Sequence, residues 1–352
     1  MPLHTIQVTS PTISYQTYSR ILKRLFALTQ QGAYRVTYKT NTSIGFQKAD
    51  CPGILINLVA KDNLAYFILR LNPSVLFGRG YDALCTFDET SLFQLEEMVN
   101  NLLAEINCPK ELSFSTLFLN RVDCTSDIQF PYSNGISEFI HCIQRTKVPR
   151  DYQVVRYHRD APNAEERNRH SFRIQCEDIS LTLYDKSFQL SSEGLMPEDE
   201  IPQNRLRAEA AFSGHAFPRL FYEAGEQPTQ SIQKKLLWFS DHSNDLLHRY
   251  FGQKMMPGRF LRGDLALQKI QASPFSGKLK GRMETFLYEV SRCHRNGVSK
   301  ALSQMSKDGL SRDQIHHMLE AFRKLDLNPV TIRGNSGFLE FPSLQQIIQP
   351  NV

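Results

Sequence analysis

Three short stretches of this sequence put reactive side chains at every second position. In 180-SLTLYDKSFQL-190, extended backbone from Ser180 to Gln189 would send Ile179, Leu181 and Leu183 to one face and Thr182, Tyr184 and Lys186 to the other. In 119-LNRVDCTSDI-128 the same alternation groups Arg121, Asp123, Thr125 and Asp127. In 204-NRLRAEAAF-212 it groups Arg205, Arg207 and Glu209, opposite Leu206, Ala208 and Phe212. If the strands share a sheet, one face holds carboxylates, a phenol and an ammonium. Asp123 and Glu209 are then oxygen ligands for a hard divalent cation, Mg²⁺ or Mn²⁺, that polarises a phosphate. Tyr184 is a usable nucleophile once that phosphate is neutralised. Lys186 can stabilise charge on the phosphate or on the leaving oxygen, and Arg121 and Arg207 become phosphate contacts. The plainer reading is a set of amphipathic strands with solvated faces and two ion pairs, Arg121–Asp123 and Arg207–Glu209.

Such strands need a scaffold, and the rest of the chain outlines one. Residues 11–32 read as a helix stopped by Gly32. AYRVTYK, GILINLVAK and LAYFILRLNP read as strands. DETSLFQLEEMVNNLLAEI opens on an acidic turn and keeps an apolar stripe, so it reads as a second helix. Strands and helices without regular alternation predict an α+β domain over residues 1–230, a mainly antiparallel sheet with flanking helices. From 231 to 352 the pattern turns helical, with Ser311 capping RDQIHHMLEAFRKLDL. VTIRGNSGFLEF, two apolar runs around a Gly-Asn-Ser-Gly turn, predicts a hairpin behind those helices. A winged-helix module is one reading of this accessory domain.

The net charge of +5 is unevenly spread. Residues 1–230 carry 23 basic against 26 acidic side chains, and residues 231–352 carry 18 against 10. The basic last third suggests a polyanionic partner, most often nucleic acid, with Lys278, Lys280, Arg282, Arg323, Lys324 and Arg333 as contacts. An ordinary solvated helical surface is the alternative. Seven cysteines without a CxxC pair argue for free thiols and against a zinc or disulfide framework. The apolar runs are too short to span a bilayer, and MPLHTIQVTSP lacks the layout of a signal peptide. A cytoplasmic protein with no membrane partner is therefore expected. Gly78 and Gly80 in FGRGYDAL lack the third glycine and the helix of a nucleotide loop. Trp238 is expected in the core.

From about residue 50 to 215 the sequence resembles the replication-initiator endonucleases of filamentous phages, the gene II family, and their plasmid relatives. The resemblance rests on FILRLNPSVLFGRG, LNRVDCT, LTLYDK and LRAEAAF in the family's order. It implies a nuclease fold related to the HUH endonucleases and a tyrosine that nicks one DNA strand at an origin. It also implies a 5′-phosphotyrosine link. A transesterification conserves the diester's energy, so rejoining would need no ATP, and strand opening would fall to a separate helicase of the bacterial host. By position the nucleophile falls on Tyr184, the basic residue beside it on Lys186, and the acidic strand residues on Asp123 and Glu209. One departure stands out. No His-apolar-His pair is present, since His316 and His317 are adjacent in an expected helix and His170 stands alone. Two other functions fit the same residues: a non-catalytic DNA-binding regulator, and a metal-dependent nuclease that activates water.

Overall fold

The computed structural model describes residues 2–158, 160, 162–293 and 296–348. The chain opens with β1 (Pro2–Thr9), α1 (Tyr15–Gln30), β2 (Tyr34–Lys39), β3 (Ser43–Lys48), β4 (Ile54–Lys61) and β5 (Leu64–Leu71). Next come α2 (Pro73–Leu76), β6 (Cys85–Thr86), α3 (Glu89–Glu105), β7 (Phe118–Gln129), α4 (Ile136–Arg145) and β8 (Gln153–Val155). The middle holds α5 (Ala164–Arg169), β9 (Ser171–Gln175), β10 (Ile179–Asp185), α6 (Lys186–Ser192), β11 (Arg205–Ser213) and α7 (Phe217–Glu223). Last are α8 (Ile232–Leu247), β12 (Phe260–Leu261), α9 (Gly263–Gln271), α10 (Gly277–Ser291), α11 (Gly297–Lys307), α12 (Arg312–Lys324), β13 (Glu340–Phe341) and α13 (Leu344–Ile347). This is the expected α+β class, a large antiparallel sheet with flanking helices.

The chain forms two compact units that interleave along the sequence. One takes residues up to Ser126 and Ala210–Asn244; the other takes Asp127–Glu209 and everything from Asp245. Strands β7 and β11 each pass from one unit into the other, and residue 230 lies inside the first.

In the first unit the strand order is β2-β3-β4-β5-β1-β7, with β6 also on β1. Alternation drives the burial: Ile54, Ile56 and Leu58 of β4 and Ala65, Phe67, Leu69 and Leu71 of β5 are enclosed. Helix α1 starts where the Ser14 side chain accepts from the Thr17 N–H, and it seats Ile21, Leu25 and Leu28 in the core. A capping box between Asp88 and Ser91 begins α3. Strand β1 carries an irregularity that matters below. Leu3 faces Cys124 and Thr5 faces Asp123, so His4 is one residue too many and bulges.

In the second unit the order is β11-β10-β9-β8. Its core joins residues far apart in sequence: Phe139 lies 5.1 Å from Phe130 and 5.8 Å from both Phe260 and Phe341, ring centre to ring centre. Arg145, at the end of α4, is buried and donates to the carbonyls of Val290, Cys293 and Thr331. It thereby satisfies acceptors at the C-terminal end of α10.

Two expectations are corrected. Strand β10 stops at Asp185, whose side chain accepts from the Phe188 N–H and starts α6, so Lys186 is the first residue of a helix. The hairpin across 330–341 does not form. Ile332 bridges Arg262 in parallel, while Glu340 and Phe341 pair with Leu261 and Phe260. Each apolar run buries itself against the segment at 259–262 rather than against the other, because the enclosed Phe260 lies there. The winged-helix reading loses its two-stranded wing. Trp238 is in the core as expected, its indole N–H donating to Glu226 at 2.8 Å.

Candidate catalytic face

Tyr184 comes from the penultimate position of β10, where Leu181 and Leu183 fill the core on one side of the strand. Its hydroxyl donates to Oε1 of Glu209 at 2.7 Å. Burial, then the charge and hydrogen bond of Glu209, hold the phenol well above its ordinary pKa, and Arg207 pulls the other way. The hydroxyl is thus a firmly protonated donor while Glu209 is its acceptor.

Arg207 is fully enclosed and grips Asp127 with two hydrogen bonds, at 2.5 and 2.7 Å. Burial works against its charge, but Asp127 first, then Tyr184 and Glu209, more than compensate, so the guanidinium is held charged. Lys186 is also enclosed, with its ammonium donating to Gln189 at 2.8 Å. Burial and the nearby Arg207 lower its pKa to about 8, against the opposing pull of Glu209, Asp127 and Glu193. The ammonium is therefore a proton donor near neutrality.

In the first unit Asp123 is buried and held by Arg121 at 2.6 and 3.0 Å. An ionised carboxylate has about four acceptor sites, so it can bind the guanidinium and a cation together.

The residues singled out in the sequence divide accordingly. Tyr184 bonds to Glu209 in the second unit, and Asp123 is held by Arg121 in the first. The Arg121–Asp123 ion pair is present, whereas the carboxylate that grips Arg207 is Asp127. The Asp127–Arg207 pairing went unrecognised because alternation within one strand does not say which side chain of another strand it meets. His170 belongs elsewhere: its ring stacks on Phe188 at 3.9 Å and its Nδ1 meets Asp185. His316 and His317 lie in α12. Of the C-terminal cations, Arg323 pairs with Glu320, Arg333 is bidentate to Glu138, and Lys280 donates to the Gln271 carbonyl. No helix among the described residues is long and apolar enough to cross a membrane.

No family model matches the chain, and no curated protein sequence matches it. Among solved structures it is similar to the rolling circle replication initiator protein from Geobacillus stearothermophilus. That likeness has a TM-score of 0.30 and 10% identity, over 68% of this chain and 95% of the other. At that level it gives a neighbour and nothing more.

Proposed function

We propose that this protein initiates rolling-circle DNA replication by nicking one strand at an origin. The observation that carries the reading is the Tyr184 hydroxyl bonded to Glu209, with the enclosed Lys186 two residues further along the chain. In the proposed step the Tyr184 oxygen attacks a backbone phosphorus and its proton passes to Glu209. The bond from phosphorus to the 3′ oxygen breaks, leaving a 5′-phosphotyrosine ester. Lys186, protonated below about pH 8, supplies the proton that makes the departing oxygen a hydroxyl. Mg²⁺ or Mn²⁺ on the carboxylates read from the sequence, Asp123 and Glu209, would supply charge neutralisation at the phosphate. The ester keeps the energy of the broken diester, so reversal rejoins the strand without ATP. Strand opening then falls to a separate helicase, and origin DNA is the partner.

The test is incubation with single-stranded and supercoiled origin DNA plus Mn²⁺, read as a protein–DNA adduct that survives denaturation. Wild type is expected to form it. Tyr184→Phe, which keeps the ring's packing, is expected to lose nicking and adduct while binding DNA normally. A Tyr184→Phe protein that still forms the adduct overturns the assignment. One that cuts without any adduct supports the water-activating nuclease instead.

A further inference from the structure

A cleft of about 710 Å³ runs along α1, lined by Arg20, Lys23 and Arg24 together with Gln16, Thr17 and Asn107, and Ser19 beside them. Each of these side chains carries an N–H or O–H donor, and no carboxylate lines the cleft. Positions 20, 23 and 24 share one side of the helix, while Ile21, Leu25 and Leu28 anchor another in the core. Arg20 and Lys23 are exposed and, among the described residues, take part in no ion pair. The acid whose backbone Arg24 touches is already committed. Arg24 donates to the backbone carbonyl of Glu105 at 3.0 Å, but the Glu105 carboxylate binds Lys48 at 2.6 Å and Tyr34 at 3.2 Å. This contrasts with Arg323 and Arg333, whose charges are matched by Glu320 and Glu138.

A concave surface whose every lining side chain can donate, and whose exposed Arg20 and Lys23 have no ion-pair partner, is complementary to a chain of anionic groups that can only accept hydrogen bonds. We infer that the α1 cleft binds the phosphodiester backbone of a DNA strand. The inference rests on the proposal that the protein acts on DNA, and it assigns the contact to a face that the charge excess of residues 231–352 does not reveal. Phosphates contacted by Arg20 and Lys23 release counterions, so each contact adds to the salt dependence of binding.

The experiment measures binding of a fluorescein-labelled single-stranded oligonucleotide from low to moderate salt, without divalent cation so that no nicking occurs. Arg20→Gln/Lys23→Gln is compared with wild type and with the charge-keeping Arg20→Lys/Lys23→Arg. Both side chains are exposed, and unchanged thermal melting checks the fold. Two lost contacts at about −0.7 each flatten the logarithmic slope by about 1.4, so wild type loses about sevenfold more affinity than the Gln variant between roughly 50 and 200 mM salt. The charge-keeping variant is expected to retain the wild-type slope. An unchanged slope in the Gln variant overturns the inference while leaving Tyr184 nicking intact. A protein that lacks nicking but shows the flattened slope fails only the catalytic reading. Wild type with no salt-dependent binding overturns the cleft assignment.

Discussion

Lys186 shows how much of a site can be hidden at the scale of one residue. Its place beside Tyr184 was legible, but its enclosure and its helical backbone were not. Both follow from Asp185 turning the strand into α6, and an Asp inside a strand-like run carries no obvious stop. The enclosed ammonium has a consequence for stability. Its pKa is about 8 in the folded protein against 10.5 for the ordinary side chain. At pH 7 it is charged in both states, and folding bears a cost of about 3 kcal/mol at 1.36 kcal/mol per pKa unit. Between pH 8 and 10.5 the folded protein has shed the proton that the unfolded chain still holds, so stability rises with pH. Lys186→Met is therefore expected to stabilise the protein by about 2 to 3 kcal/mol at pH 7, with the gain shrinking toward pH 10.5. Urea unfolding of both proteins at the two pH values checks this, and a difference that ignores pH would refute it. The same variant is expected to slow nicking, since no proton donor replaces the ammonium.

At the scale of elements, the sheet was readable because alternation is a property of neighbouring residues. The faces of β10 and β11 emerged as expected over Leu181–Tyr184 and Leu206–Glu209. The β1 bulge was not readable, because a bulge depends on the partner strand's register. It places His4 opposite the step from Cys124 to Asp123. The hairpin at 330–341 failed for a related reason: turn residues announce a reversal, but not which strand each arm will join. Arg145 governs the end of α10. Arg145→Leu strips three carbonyls of a charged donor and is expected to cost about 3 kcal/mol or more, read by denaturant unfolding. A loss below about 1 kcal/mol would mean that water replaces it.

At the scale of the whole molecule, composition announced two regions, whereas packing follows distance in space. Phe130 and Phe139 need Phe260 and Phe341 as ring partners. A fragment ending at residue 230 is therefore expected to lack a cooperative thermal transition for the unit that carries Tyr184, as circular dichroism would report. A sharp, wild-type-like melt for that fragment would contradict the packing described. The interleaving also sets a timetable during synthesis. Arg145 and its acceptor at Thr331 are 186 residues apart, and a ribosome adding roughly 5–20 residues per second needs on the order of 10 to 40 s to make that stretch. For most of that interval the nascent chain already carries the Tyr184 strand but not yet both Phe260 and Phe341, which complete the ring cluster of its unit. If the unit needs those rings to fold, the proposed nicking face is completed only when translation is almost over, and a chain released early is expected to lack nicking activity.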